Sequence, residues 1–343
     1  MNLLLLNYVM DSDHPVLSHQ LKLANSLSKS FENVYVLTGR VGNVEISDNM
    51  ILFNTNWLEG SHFKNIFNFY RKFFYINRKY DYEVVYSHMT LYQSLLIAPF
   101  TIAKKLQHYL WYAHKSRPFF LNIIYPLISG IITSTNGSFP FPGKKVNAIG
   151  QGIDFSLFPA FKDRDYTKLN FVHFGRIDES KGIHEILEIL MSLKQKLPNI
   201  NLTFIGGPAR PESIFYKGTL LNFVEKNQIS SWVKFMNSIP RNELAEVLSQ
   251  YNIFIHNFQG SLDKTLLEAT ALLLDVITIN EEYRKIFGSW KSDSHTSLAL
   301  ELDGFLKSDL KFKEEKRMMR KTILEKEHSY ENWIKKTVEI LQS

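Results

Sequence analysis

The sequence predicts an α/β protein in which two parallel β-sheets are covered by helices on both faces. Apolar, β-branched runs alternate with helical patterns along the whole chain, and this alternation is typical of sheets built from strand–helix–strand units. The length of 343 residues is sufficient for two domains of ordinary size. A hydrophobic content of 45% with 22% charged residues is normal for a folded globular protein.

Short apolar runs are predicted as strands, and the intervening segments as helices. Residues at helical spacing between the first two strands are Leu17, Leu21, Ala24, Leu27 and Phe31. Later helices are predicted to begin at Ile183, Glu212, Asn242 and Lys264, and the chain is helical again from about residue 312. The predicted strands are residues 3–6, 34–38, 50–53, 83–87, 109–112, 131–134 and 146–149, followed by 169–174, 202–205, 233–235, 253–255 and 276–279.

Residues 150–166 contain glycines, Pro159 and charges with little periodicity, and this composition predicts a linker between domains. We therefore expect a first Rossmann-like domain at residues 1–155 and a second at 156–325. A final helix at 326–343 is expected to pack back on the first domain through an apolar stripe. The stripe consists of Tyr330, Trp333, Ile334, Val338 and Leu341.

The chain has no cysteine, which excludes disulfides and thiolate metal sites. Its net charge of +6 is unevenly distributed. Residues 1–160 contain 14 Lys and Arg against 9 Asp and Glu, whereas the remainder contains 26 against 25. This excess favours an anionic partner for the first domain. No helix-turn-helix or RNA-binding signature accompanies it, so no nucleic-acid partner is expected.

No segment of the sequence is apolar over the length of a membrane span. The longest apolar tracts, residues 95–103 and 119–133, fall short of the ~20 residues that cross a bilayer. Residues 1–7 are too short for the apolar region of a signal peptide and lack a basic start, so we interpret them as a buried strand. A cytoplasmic location is expected.

Two short stretches indicate the chemistry of the chain. In residues 174–182 an apolar run ends at a glycine, and Arg176 and Lys181 follow before a helix begins. Free amides at a helix start and fixed cations both stabilise phosphate oxygens. In residues 260–269 a turn of small residues opens a helix that carries Glu268, and a carboxylate there suits a ribose diol. Together the stretches predict a nucleotide-diphosphate site in the second domain.

These motifs, in this order, resemble the nucleotide-sugar half of family 4 glycosyltransferases. The resemblance covers nearly the whole chain. It implies the GT-B architecture, in which two Rossmann-like domains face each other across a cleft, and a retaining transfer reaction that needs no metal ion. The residues that carry it are Gly175-Arg176 with Lys181-Gly182, then 204–208, then 267–269, with further matches at 150–154, 112–114 and 328–330.

The resemblance implies a role for each matching residue. Arg176 and Lys181 would contact the donor diphosphate and stabilise the charge of the leaving group. Glu268 would hold the ribose hydroxyls, and His114 would line the cleft from the first domain. Glycines after the second strand of this half would let the backbone approach the nucleotide, because a Cβ there would clash. The remaining donor-binding positions are Gly175, Gly206, Gly207, Ser261, Asp263, Lys264 and Thr265.

The chain also departs from the family pattern. The family usually has a second glutamate, eight residues before the position of Glu268, that contacts the donor sugar; this chain has Gly260. Asp263 and Lys264 on the same loop could substitute for it, which resembles a Ser-Leu-Asp-Lys subgroup. Other differences are Leu273 and Asp275 at the positions of the usual Gly and Pro, and residues 7–13, which lack the usual glycine pair.

Each candidate residue also has a purely structural interpretation. Arg176 and Lys181 could be solvated charges at a helix start, although cations there oppose the helix dipole and need a reason. Glu268 could pair with Lys264 at the i,i+4 spacing. His114 could be a structural histidine after an aromatic strand.

Residues 62–80 are rich in aromatic and basic side chains. Such a helix suits an anionic membrane surface, where each cation contributes ~1 kcal/mol. A core helix with a solvated basic face is the alternative. On a helix, one face is formed by Phe63, Ile66, Phe67, Tyr70, Phe73 and Phe74, with Phe69 and Tyr75 off this stripe.

From the sequence we predict a glycosyltransferase that moves a sugar from a UDP- or GDP-type donor to a glycan or lipid-linked acceptor in surface polysaccharide synthesis. No permanently bound cofactor and no metal are expected. Contact with the inner face of the plasma membrane through residues 62–80 is one alternative for its location. Two other function classes stay open: a sugar-nucleotide epimerase or phosphorylase of the same fold, and a non-catalytic nucleotide-sugar-binding homologue, which Gly260 would favour.

Overall fold

The structure, a computed structural model, describes residues 1–14, 17–161, 165–291 and 297–343. The chain divides into two compact units, Met1–Gly152 with Glu331–Ser343, and Ile153–Tyr330. One parallel sheet forms the centre of each unit, with seven strands in the first and five in the second. The predicted α/β class with two parallel sheets is therefore confirmed. Positions 162–164 of the predicted linker lie outside the described residues.

The sheet of the first unit has the order β3-β2-β1-β4-β5-β6-β7. Its central strand β1 is a continuous run of leucines at residues 3–6 that are all fully buried, as expected for a parallel strand covered on both faces. The strands are β1 (Leu3–Met10), β2 (Val34–Val41), β3 (Met50–Asn54), β4 (Val84–His88), β5 (Gln107–Trp111), β6 (Gly130–Thr133) and β7 (Val146–Ala148). The helices are α1 (His19–Ser28), α2 (His62–Lys79), α3 (Leu91–Ala103) and α4 (Phe119–Leu127).

Helix α2 packs on the sheet through a different face from the one predicted. Asn65, Phe69, Phe73 and Ile76 are buried, so placing Phe69 off the apolar stripe was wrong. Aromatic residues occupy more than half of the helix circumference, and the sequence alone therefore does not define the core-facing side. Those left exposed are Phe63, Phe67, Phe74 and Tyr75.

The sheet of the second unit has the order β10-β9-β8-β11-β12. From β8 the chain continues to β9 on one side, whereas from β11 it continues to β12 on the other, so the two connections lead toward opposite edges of the sheet. Doubly wound sheets bind ligands at such a point, beyond the carboxyl ends of the strands. The strands are β8 (Leu169–Phe174), β9 (Ile200–Ile205), β10 (Val233–Met236), β11 (Ile253–His256) and β12 (Asp275–Thr278). The helices are α5 (Ile183–Lys194), α6 (Pro211–Lys226), α7 (Arg241–Leu248), α8 (Lys264–Ala271), α9 (Glu281–Phe287), α10 (Leu298–Lys307) and α11 (Leu310–His328).

The last helix, α12 (Tyr330–Leu341), packs on the first unit. The ring of Trp333 lies 5.1 Å from that of Trp111 and 6.1 Å from that of His88, measured between centroids. His88, at the end of β4, is therefore part of an aromatic packing cluster. In the described parts of the chain, no helix combines the length and apolarity that a membrane crossing needs.

The departures at positions 273 and 275 have distinct structural consequences. Leu273 adopts a left-handed conformation with φ of 60°, which suits the glycine usual in the family better than a side chain. Asp275 begins β12 and accepts hydrogen bonds of 3.0 and 2.9 Å from Nη1 of Arg317 on α11. Both side chains are buried. The carboxylate at position 275 thus anchors α11 to the sheet.

Replacing Asp275 by alanine is expected to destabilise the second unit strongly. The buried Arg317 would lose its counter-charge, and breaking a buried ion pair in this way costs about 3–5 kcal/mol. Urea unfolding measures the loss. The matched control is Asp303→Ala, which removes the exposed partner of Lys307 and should change stability little. Equal stability of the two variants would contradict this role for Asp275.

Candidate functional site

Two glycines bring the loops after β8 and β9 into direct contact. Gly175 and Gly206 have φ of 135° and 153°, and a Cβ on Gly206 would lie 1.8 Å from the carbonyl oxygen of Gly175. A Cβ on Gly207 would lie 2.9 Å from Oγ of Ser238. The backbone at position 206 approaches that of Gly175 so closely that only glycine fits there, independently of any ligand. A role of these glycines toward a nucleotide stays a prediction.

The two motif stretches meet at the carboxyl edge of this sheet. A Cβ on Gly175 would lie 3.4 Å from Cγ2 of Thr265 in the first turn of α8. Lys181 ends a single 3₁₀ turn, Glu179–Lys181, and its ammonium pairs with the carboxylate of Asp263. The two stretches are therefore in contact, although Lys181 and Asp263 are 82 positions apart in the chain.

Lys181 is a buried cation, with 6% of its surface exposed. Besides its ion pair with Asp263, Nζ lies 4.0 Å from the ring centroid of Phe258. The alternative of a solvated charge is therefore wrong for Lys181. Arg176, in contrast, is exposed. Asp178, the N-cap of the 3₁₀ turn, has a lowered pKa mainly because Ser180 donates to its carboxylate, and the charge of Arg176 contributes.

Asp263 is the N-cap of α8 and the centre of the buried cluster. Its Oδ1 accepts a hydrogen bond of 3.2 Å from the backbone N–H of Thr265, and its Oδ2 lies 3.2 Å from Nε2 of His256. Burial acts to raise the pKa of Asp263, but the His256 hydrogen bond and the Lys181 ammonium outweigh burial and hold this pKa well below its ordinary range. The carboxylate is therefore ionised at neutral pH.

Two buried histidines, which the sequence interpretation missed, lie near this cluster: His256 contacts Asp263, and the ring of His173 lies 6.0 Å from that of His256. His256 ends β11 with its Nδ1 3.0 Å from Oγ1 of Thr278, and His173 on β8 has its Nδ1 2.9 Å from the carbonyl oxygen of Ile255. Burial lowers the pKa of both imidazoles, that of His173 to about 3, so both are neutral. The available signal was a polar residue near the end of an otherwise apolar strand.

Glu268 is also buried, with 2% of its surface exposed. Its carboxylate makes an ion pair with the guanidinium of Arg241 at the start of α7. Cζ of Arg241 lies 5.4 Å from the ring centroid of Phe158. The sequence interpretation missed Arg241. The available signal was its place at the start of a helix, where a cation opposes the helix dipole.

The other candidates occupy two separate regions of the chain. Ser261 is buried, and its carbonyl oxygen accepts a hydrogen bond of 3.0 Å from Nδ2 of Asn280; Lys264 begins α8 and is half-buried. His114 lies in the first unit after β5, exposed, with its ring 5.5 Å from that of Tyr112. Across the described ranges, no group of three His, Asp or Glu side chains is placed to hold a metal ion.

The segment that contains this sheet matches the model of a known protein family. The family model described as "Glycosyl transferases group 1" matches residues 157–326, which include every candidate residue of the second unit. This segment is a glycosyltransferase group 1 domain. The matched segment thus contains the buried ion pair of Lys181 with Asp263 and the ion pair of the buried Glu268 with the exposed Arg241. No curated protein matches the chain in sequence.

Solved glycosyltransferase structures share the fold of the whole chain. HepE of Anabaena, solved with UDP and glucose, is 13% identical with a TM-score of 0.73, and the match covers 100% of both chains. Sucrose-phosphate synthase from Thermosynechococcus elongatus is 13% identical with a TM-score of 0.76, covering 100% of this chain and 98% of that one. WaaG, a glycosyltransferase involved in lipopolysaccharide biosynthesis, is 12% identical with a TM-score of 0.67, covering 99% and 100%. The fold is GT-B.

Proposed function

We propose that this protein is a retaining, metal-independent glycosyltransferase that moves a sugar from a nucleotide-diphosphate donor to a glycan or lipid-linked acceptor in surface polysaccharide synthesis. The observation that carries the proposal is the meeting of Lys181 with the start of α8 at the sheet switch point of the glycosyltransferase domain. Solved relatives in fold add support: HepE was solved with UDP and glucose, and WaaG acts in lipopolysaccharide biosynthesis.

The chemistry of sugar transfer suits these residues. When the bond to the sugar breaks, negative charge grows on the departing diphosphate, and preorganised cations and helix amides stabilise that charge. Lys181 is held in place before any donor binds, and the exposed Arg176 is available to the outer phosphate oxygens. These fixed charges can take the part that a metal ion plays in other enzymes. Glu268 supplies a carboxylate for the ribose hydroxyls.

A screen of nucleotide sugars tests the proposal. We expect one UDP- or GDP-sugar to raise the melting temperature, because a ligand stabilises the native state only if that state binds it. The stabilising donor should support transfer to a saccharide acceptor equally in the presence and absence of EDTA. Epimerisation or phosphorolysis of the donor without an acceptor would support the other enzyme classes, and binding without turnover would support a non-catalytic protein. Absence of any stabilisation would contradict the proposal.

We further propose that the first unit contacts an anionic membrane that presents the acceptor. Two pairs of aromatic side chains are exposed on this unit, Phe63 and Phe67 of α2 and Phe119 and Phe120 of α4. Phe63 and Phe119 are 91% and 73% exposed. The ring of Phe120 lies 5.7 Å from that of Tyr92 on α3, so the beginnings of α3 and α4 are neighbours. Exposed aromatic side chains with nearby cations, such as Lys64, suit a lipid interface.

Replacing Phe63 and Phe67 by serine is expected to weaken binding to vesicles of phosphatidylglycerol and phosphatidylcholine by about tenfold or more, because both rings would otherwise enter the interface. Vesicle sedimentation measures the binding. The matched control is the double serine variant of Ile214 and Phe215, which are similarly exposed on α6 of the second unit. Unchanged binding of the α2 variant, or equal losses in both variants, would contradict the proposed membrane surface.

A further inference from the structure

A chain of hydrogen bonds runs from the end of β12 to the ammonium of Lys181. Oγ1 of Thr278 lies 3.0 Å from Nδ1 of His256, and Nε2 of His256 lies 3.2 Å from Oδ2 of Asp263. The same Oδ2 pairs with Lys181. His256 and Thr278 are 0% and 2% exposed. The cation that we assign to the diphosphate is therefore connected through Asp263 to the buried side chains of His256 and Thr278.

The proton positions along this chain follow from the chemistry of its ends. An ionised Asp263 only accepts hydrogen bonds, so Nε2 of His256 carries the proton and donates it. Nδ1 of the neutral ring then accepts from the hydroxyl of Thr278. Oγ1 of Thr278 in turn accepts from the backbone N–H of Asn280 at 3.0 Å. The tautomer of His256 with its proton on Nε2 therefore satisfies all of these hydrogen bonds.

Asn280 also holds the loop between β11 and α8 in place. Nδ2 of Asn280 donates to the carbonyl oxygens of Phe258 and Ser261, both at 3.0 Å. The Phe258 ring lies under the Lys181 ammonium. A Cβ on Gly260 would lie 1.9 Å from Cζ of Phe258. A side chain at position 260 and the ring in this position therefore exclude each other.

Both oxygens of Asp263 are already engaged. Oδ1 accepts from the N–H of Thr265, and Oδ2 serves His256 and Lys181. This arrangement argues against Asp263 as a replacement for the sugar-binding carboxylate that Gly260 lacks. The contacts of Asp263 are those of a residue that holds the Lys181 ammonium in place.

We propose that Asp263 and His256 are positioning residues for Lys181, with Asp263 fixing the ammonium and His256 fixing Asp263. This inference rests on the proposed function, since it assumes that Lys181 binds the donor diphosphate. It assigns a purpose to the buried His256, whose Nε2 contacts Asp263. The residues would act on donor binding and turnover only through Lys181.

The test is a double-mutant cycle with UDP and GDP as probes, measured by calorimetry, and with transfer kinetics where turnover allows. We expect Lys181→Met to weaken nucleotide binding about tenfold or more. His256→Leu should weaken it by about three- to tenfold in the wild-type background but less than twofold in the Lys181→Met background, because coupled residues are not additive. Asp263→Asn should behave like His256→Leu in both backgrounds.

A conservative variant separates positioning from folding. Glutamine at position 256 keeps an N–H donor close to the place of Nε2, so His256→Gln should retain nucleotide affinity within about twofold while His256→Leu does not. Equal effects of His256→Leu in both backgrounds, or equal losses for the glutamine and leucine variants, would overturn the inference and leave the proposed function intact. If neither probe binds the wild-type protein, the proposed function fails, and this inference fails with it.

Discussion

Replacing Lys181 by methionine is expected to reduce kcat for sugar transfer about 10²- to 10³-fold, the usual loss when one preorganised donor to a developing charge is removed. The buried ammonium is held by Asp263 before the donor binds, so it pays no reorganisation cost at the moment of reaction. Because the charge on the leaving diphosphate is largest in the transition state, the loss should fall mainly on kcat rather than on KM. Initial-rate kinetics over a range of donor concentrations measure both.

Loss of stability is the competing explanation for an inactive Lys181→Met variant, because Asp263 would lose its buried counter-charge. The double variant Lys181→Met with Asp263→Asn removes both charges together and should recover most of the lost stability. We expect it to stay as inactive as the single variant. Recovery of transfer together with stability would contradict a catalytic role for Lys181.

Replacing Glu268 by glutamine is expected to raise the donor KM by about 10- to 100-fold with a smaller change in kcat. Hydrogen bonds from the ribose diol to a carboxylate are worth about 1.5–3 kcal/mol, and they are equally present in the ground state and the transition state. A carboxylate has two oxygens, so the ion pair between Arg241 and Glu268 can persist while the second oxygen binds the diol.

The donor itself provides the control for this prediction. The wild-type protein should discriminate strongly against a 2′-deoxyribose donor, whereas Glu268→Gln should discriminate much less. The 2′-hydroxyl and the carboxylate are partners in one hydrogen bond, so removing the hydroxyl costs little once the carboxylate is gone. Melting temperatures of the two proteins show whether the loss of the pair with Arg241 affects folding. Undiminished discrimination in Glu268→Gln would exclude Glu268 as the ribose ligand.

Much of the fold was predictable because parallel strands buried on both faces are continuous apolar runs. All twelve predicted strands are present; β8 has the predicted bounds, and no strand end differs from its prediction by more than four residues. The extension of β1 to Met10 was not predicted, because the polar Asn7 interrupts the apolar run; Asn7 is itself buried. The buried face of α2 could not be predicted, because a helix with aromatic residues on most sides has no single apolar period.

The meeting of the two motif stretches at one edge of the sheet was predictable, but their contacts with other elements were not. Glycines and cations at strand ends indicated the edge of the sheet, and Lys181, Asp263 and Thr265 lie there together. The partners of the buried charges come from other strands and helices, as His256 and Arg241 do. Such pairings depend on sheet order and helix placement, which local sequence patterns do not encode.

The most direct test of the account is the structure of the protein with a bound nucleotide sugar. We predict that the diphosphate lies within hydrogen-bonding distance of Nζ of Lys181 and that the ribose hydroxyls contact the carboxylate of Glu268, both at the carboxyl edge of the sheet of the second unit. A donor bound elsewhere, with neither Lys181 nor Glu268 in contact with it, would contradict the account.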